Sequence, residues 1–127
     1  MKFEHMGFNV PDAAAMAEWY VKHCGMSIAL ASEGAPYMRF LADSTGRVCA
    51  EIYTNPAAII PDYATQDPLV FHFAFAVENA RAERDRLVAA GATVVSDTTS
   101  DDGYGLIMMR DPWGIPLQLC CRKQPLA

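Results

Sequence analysis

The chain has 127 residues, 52% hydrophobic and 20% charged, with a formal net charge of −5. That length fits one ordinary domain burying roughly two-thirds of its unfolded surface, and the composition excludes a disordered segment as the main content. No apolar run approaches the roughly 20 residues that cross a bilayer, and the Lys and Arg are scattered without a basic stripe, so neither membrane nor nucleic-acid binding is expected.

Residues 2 to 10 alternate, with Met6, Phe8 and Val10 on one face and Phe3, His5, Gly7 and Asn9 on the other, the period of a half-buried strand. The start has no signal-peptide apolar region, so a cytoplasmic location is the expectation. Pro11-Asp12 opens a helix through about His23, with Met16, Trp19 and Tyr20 at helical spacing and Gly25 as its stop. Three short strands follow, near Ser27 to Ser32, Tyr37 to Ala42 and Arg47 to Tyr53, separated by turns at Glu33-Gly34-Ala35-Pro36 and Ser44-Thr45-Gly46. Three prolines between Asn55 and Pro68 mark a connection, which divides a single domain into a first module at residues 1–56, a linker at 57–68 and a second module at 69–127. There the order repeats: a strand from Leu69 to Val77, a helix after Glu78-Asn79 ended by Gly91, and strands near Thr93 to Ser96, Gly105 to Arg110 and Pro116 to Arg122. Each half reads as βαβββ in an α+β fold. Cys24, Cys49, Cys120 and Cys121 have no Cys-x-x-Cys spacing and read as reduced thiols.

The halves are related by a shift of 67 positions. Phe3-Glu4-His5-Met6-Gly7-Phe8-Asn9-Val10 falls on Val70-Phe71-His72-Phe73-Ala74-Phe75-Ala76-Val77, and Ala50-Glu51-Ile52 falls on Leu117-Gln118-Leu119. The same shift carries His5 onto His72 and Glu51 onto Gln118. Strand parity lets all four side chains face one surface while Ile52, Leu117 and Leu119 face the helices. Two imidazoles, a carboxylate and an amide suit Zn²⁺, Ni²⁺, Mn²⁺ or Fe²⁺ with positions left for water or substrate. Phe3, Tyr37, Arg39, Tyr53, Tyr104 and Trp113 are candidates to line the pocket, Arg39 as a cation for a substrate carboxylate, whereas Met38 and Phe40 read as core.

These segments, together with Asp111-Pro112-Trp113-Gly114-Ile115-Pro116-Leu117-Gln118-Leu119, resemble the vicinal oxygen chelate superfamily of glyoxalase I, fosfomycin-resistance enzymes, extradiol dioxygenases and bleomycin-resistance proteins. The last segment resembles the family's Asp-Pro-x-Gly-x-x-x-Glu signature, with Gln118 where Glu is usual. The resemblance implies two tandem βαβββ modules forming an incomplete barrel around a divalent metal, often completed in a homodimer. The implied ligands are His5, Glu51, His72 and Gln118.

Two departures bear on the reaction. In glyoxalase I the residue at the Gln118 position is also the proton-abstracting base, and an amide cannot take a proton at neutral pH. The bacterial glyoxalases carry an Arg four residues after the first ligand, where this chain has Asn9, although Asn55 matches an Asn that contacts glutathione. The expectation is therefore a metal-dependent enzyme acting on a small oxygen-chelating substrate by lyase- or isomerase-like enolate chemistry, with Glu51 as base, and not a standard glutathione-dependent glyoxalase I. Dioxygen activation at a two-histidine, one-carboxylate site is a further option. The alternative is a metal-free small-molecule binder like the bleomycin-resistance proteins.

Overall fold

The computed structural model describes residues 1–126 and divides into two compact units, Met1–Pro61 and the residues from Asp62 onward. The first contains β1 (Met6–Asn9), α1 (Ala13–Cys24), β2 (Ser27–Ala31), β3 (Arg39–Ala42) and β4 (Val48–Tyr53). The second contains β5 (Phe73–Ala76), α2 (Ala80–Ala89), β6 (Thr93–Asp97), β7 (Gly105–Arg110) and β8 (Pro116–Cys121). Both are βαβββ modules, each built on an open four-stranded sheet, in the orders β1-β4-β3-β2 and β5-β8-β7-β6. The strands after His5 and His72 start 67 residues apart, so the shift seen in the sequence is a repeat of structure.

In the first unit Asp12 caps α1, its carboxylate accepting from the Ala15 N–H at 3.0 Å. Gly25, at φ 66°, closes the helix with its N–H on the Tyr20 carbonyl, a left-handed turn that suits glycine. Between these ends Met16, Ala17, Trp19 and Tyr20 bury one helix face against the sheet. Val10, Met16 and Ile52 are fully buried. Each large apolar side chain hidden this way contributes about 1.5–3 kcal/mol. β1 and β4 are parallel neighbours, while β3 pairs antiparallel with β4 and with β2.

In the second unit Asn79 caps α2 through the Ala82 N–H, and Leu87 buries against a sheet core of Ile107, Met109, Leu117 and Leu119. The turn into β8 is held by buried Asp111, whose Oδ1 accepts from the N–H groups of Trp113 and Ile115, both at 2.9 Å. Gly114 is required here. Its φ is 86°, and a Cβ would lie 2.7 Å from the Cβ of Ala64.

β1 is shorter than the expected residues 2 to 10, several other strand ends move by one residue, and three larger differences have local reasons. β3 begins at Arg39 instead of Tyr37 because Tyr37 sits at φ 57°, outside strand geometry. β5 begins at Phe73 instead of Leu69 because Asp67 ties the N–H groups of Leu69 and Val70 into a turn. The stretch read as linker includes a 3₁₀ turn, Tyr63–Thr65, that belongs to the second unit. Arg110 fastens it by donating to the carbonyls of Tyr63 at 2.8 Å and Gln66 at 2.7 Å. Among the described residues no helix is long and apolar enough to cross a membrane.

Candidate functional site

His5 directly precedes β1, and Gly7 stands opposite Glu51 in the parallel pairing with β4. Alternation along β1 then puts His5 on the Glu51 face. The His5 imidazole lies between two carboxylates, with Nδ1 2.9 Å from Glu4 Oε2 and Nε2 3.3 Å from Glu51 Oε2. A carboxylate only accepts, so the Glu4 contact places the hydrogen of a neutral imidazole on Nδ1 and leaves the Nε2 lone pair facing a second acceptor. A charged imidazolium donating from both nitrogens, or a metal ion between Nε2 and Oε2, reconciles the two contacts, and 3.3 Å is long for a direct N–H···O bond. With metal–nitrogen and metal–oxygen bonds of about 2.1 Å, two donors on one ion stand about 3.0–3.4 Å apart at octahedral to tetrahedral angles. The pair fits two ligands of one divalent ion. The Glu4 contact supplies the outer carboxylate that commonly orients a metal-binding imidazole.

Small and aromatic neighbours shape this half-site. A Cβ on Gly7 would lie 3.3 Å from Glu51 Oε2 and 3.6 Å from the Tyr53 hydroxyl, so glycine leaves room for the carboxylate and brings Tyr53 to the same face. Phe40 pairs with Glu51 across the sheet, and its ring meets His5 edge-on with centroids 5.0 Å apart. Phe3, Glu4 and Lys2, with Gly46, Arg47 and Val48, line a cleft of ≈ 610 Å³.

The structure reverses two sequence expectations on β3. Phe40, read as core, lies on the His5 face, and Arg39, read as a pocket cation, lies on the other, opposite the fully buried Ile52. Arg39 is 8% exposed, and its Nη1 donates to the carbonyls of Ser32 at 2.6 Å and of Tyr37 and Met38 at 3.2 Å. Charge suggested an open surface, but a guanidinium satisfied by three carbonyls is tolerated inside.

Asn9 and Asn55 are structurally engaged. Asn9 Nδ2 donates to the carbonyls of Asn55 and Ala58 at 2.8 and 3.1 Å, and its Oδ1 accepts from the Asn55 N–H at 2.8 Å. The Asn55 side-chain oxygen accepts from the Ala57 N–H. These bonds fasten the segment leaving β4 to the end of β1.

In the second unit His72 precedes β5 as His5 precedes β1, and its Nδ1 is 2.9 Å from the Pro68 carbonyl. A carbonyl also only accepts, so Nε2 again carries the lone pair, and no protein group among the described residues bonds it. Gln118 stands between Ala74 on β5 and Met108 on β7. Its Oε1 accepts from the Cys120 thiol at 3.3 Å. Burial pushes the Cys120 thiol pKa up, so it stays protonated and able to donate. Tyr104 is half-exposed under Lys123, whose Nζ is 5.2 Å from the ring centroid, and Trp113 lies in the turn before β8. Both backbones are at least four residues along the chain from the Met108–Gln118 pair, which strand geometry makes about 10 Å or more.

Among the described residues no three His, Cys, Asp or Glu side chains gather as metal ligands, so the observed geometry supplies the His5–Glu51 pair and, in the other unit, a second imidazole with Nε2 free. Sequence reasoning missed Glu4 and Phe40 as neighbours of His5, whereas strand parity already placed Cys120 on the face of Gln118. Pairing centred on Ser44-Thr45-Gly46 would set Arg39 opposite Glu51, and the register shift between Leu41 and Ala42 puts Phe40 there instead.

A family model for the Glyoxalase/Bleomycin resistance protein/Dioxygenase superfamily matches residues 2–119. The chain belongs to this superfamily. Among solved structures, glyoxalase I of Leishmania major, trypanothione-dependent, is 16% identical with a TM-score of 0.71, covering 94% of this chain and 86% of its own. The fosfomycin resistance protein FosX of Listeria monocytogenes is 13% identical with a TM-score of 0.71, covering 100% of this chain and 95% of its own. TnmS3, an antibiotic binding protein from a Streptomyces species, is 16% identical with a TM-score of 0.68, covering 94% of each chain. Identities this low show a shared fold. No curated protein matches the chain. Within the superfamily, this member carries its two imidazoles at equivalent strand starts and differs between its halves by Glu51 against Gln118.

Proposed function

We propose that this superfamily member binds a divalent metal through His5 and Glu51, that His72 and Gln118 are the equivalent pair of polar groups in the second module, and that the protein acts on a small molecule that chelates through adjacent oxygens. The observation carrying this reading is the His5 Nε2 to Glu51 Oε2 approach at 3.3 Å, with Nδ1 already held by Glu4. The repeat supports His72 in the same role, because its Nδ1 is held by Pro68 and its Nε2 is open. When bound, the metal supplies Lewis acidity that favours anionic oxygens, the more so because a single carboxylate leaves the centre with a formal charge near +1.

Glu51 is the candidate base. Its Oε2 faces His5, and no protein hydrogen bond among the described residues engages its Oε1, which can take a proton from a carbon next to a substrate carbonyl and return it. Phe40 and Tyr53 border this carboxylate and limit water around it. Lyase- or isomerase-like proton transfer is the reaction class, with small-molecule substrate and a homodimeric assembly as in many short superfamily members. Loading the protein with Ni²⁺ or Zn²⁺ and following proton–deuterium exchange at the carbon acid of small 2-oxo or 2-hydroxycarbonyl compounds tests it. Exchange that requires metal and disappears in Glu51→Gln supports the reading; exchange unaffected by that substitution refutes Glu51 as base.

The second reading, metal-free ligand binding, is favoured by the half-exposed aromatic side chains of Tyr37 and Tyr104 and by the likeness to an antibiotic binding protein. Saturable binding of planar aromatic compounds that chelators leave unchanged would favour it.

A further inference from the structure

The two modules place chemically opposite groups at one repeat position. Glu51 offers oxygen acceptors, while Gln118 can turn either an oxygen or an N–H outward, and which it offers depends on its neighbours. Cys120, two residues along the same face of β8, holds the Gln118 Oε1 at 3.3 Å. With the thiol as donor, this contact holds the amide oxygen toward Cys120 and turns the amide nitrogen away from it. No protein group among the described residues accepts from that nitrogen. The flanking residues, Ala74 and Met108, offer it no side-chain oxygen. Gln118 is half-exposed, so its two N–H groups are open to a ligand.

We propose that Gln118 is a hydrogen-bond donor to a negatively charged ligand oxygen, positioned by Cys120, and not a metal ligand. The inference rests on the proposed ligand-binding face and deepens it: the preferred ligand carries an enolate- or carboxylate-like oxygen beyond those that chelate. Cys120 is a positioning residue, since it acts only through the amide. The shared repeat position thereby divides labour, a proton acceptor at 51 and a donor at 118.

The test uses oxalate as a probe with adjacent oxygens and NMR of the ¹⁵N-labelled side-chain amides, the Gln118 signal being assigned by its loss in Gln118→Leu. Titrating oxalate into metal-loaded wild type should shift the Gln118 amide peaks. Gln118→Leu should weaken oxalate about tenfold while metal affinity stays within about threefold, as expected for losing one charge-assisted hydrogen bond. Cys120→Ser, which keeps a donor, should match wild type, and Cys120→Ala should move the Gln118 peaks and weaken oxalate. A tenfold or greater loss of metal affinity in Gln118→Leu overturns the proposal, as does a Gln118 signal that oxalate leaves in place. Unchanged Gln118 peaks and oxalate affinity in Cys120→Ala overturn the positioning role. If wild type takes up no metal, the proposed metal function fails by itself, and the oxalate titration of the metal-free protein then decides the role of Gln118 alone.

Discussion

Replacing Asn9 removes the fastening between the end of β1 and the segment that leaves β4. Asn9→Ala loses the hydrogen bonds to the Asn55 and Ala58 carbonyls and from the Asn55 N–H, at least three, on a side chain only 7% exposed. At about 1 kcal/mol net for each, with no water readily reaching the abandoned partners, the cost is about 3 kcal/mol. That is a large share of the roughly 5–15 kcal/mol that holds a typical domain folded. For a urea slope of about 1.5 kcal/mol per M, the unfolding midpoint measured by far-ultraviolet circular dichroism falls by about 2 M. Asn9→Arg introduces the residue that glutathione-using bacterial glyoxalases carry here, yet Arg has no acceptor for the Asn55 N–H and brings a charge to a buried position. It should destabilise at least as much and give no turnover of the methylglyoxal–glutathione adduct. An Asn9→Ala midpoint within about 0.5 M of wild type would refute the structural role given to this side chain. So would an Asn9→Arg protein that folds normally and gains glyoxalase activity.

Two glycines of left-handed conformation should respond differently to alanine. Gly25→Ala meets nothing within 4 Å and should cost about 1 kcal/mol, whereas Gly114→Ala runs into Ala64 and should cost at least about twice that; equal thermal midpoints would contradict the packing at Gly114. The exchange of faces on β3 predicts that Arg39→Ala lowers stability and leaves metal affinity of the folded protein unchanged, while Phe40→Ala lowers metal affinity about tenfold by freeing His5, as read from chelator competition. The reverse pattern would restore Arg39 to the site. The hydrogen bond from Lys123, then that from Ser100, pull the Asp102 carboxyl down to about 2. A depressed folded-state pKa means that this contribution is present above the unfolded value of 3.8 and lost as pH falls through about 2. Lys123→Ala should therefore raise the Asp102 pKa followed by ¹³C NMR, and an unmoved titration would dismiss the pairing.

Much of the fold was legible because its signals are local and repeated. Pro11-Asp12 and Asn79 cap helices where expected, the strand from Gly105 to Arg110 keeps its bounds, and the 67-residue shift aligns β1 with β5. The approach of His5 to Glu51 also followed from alternation, since Glu51 lies on β4 and His5 directly precedes β1, its parallel neighbour. The faces of β3 were misread because the β3–β4 pairing shifts register between Leu41 and Ala42, which sets Phe40 and not Arg39 opposite Glu51. Side-chain polarity then reinforced the error, because a buried guanidinium with three carbonyl partners looks in sequence like any exposed Arg. The engagement of Asn9 and the Cys120 contact to Gln118 depend on which atoms turn toward one another, and residue order carries no record of that.

Elemental analysis of untagged protein purified without chelators, before and after reconstitution with Zn²⁺ or Ni²⁺, tests the metal centre most directly when His5→Ala and His72→Ala are measured beside wild type. About one ion per proposed site in wild type, lost in both variants, is the expected result. Wild type that takes up no metal even after reconstitution, or variants that retain it in full, would contradict the assignment of His5, Glu51 and His72 as metal ligands.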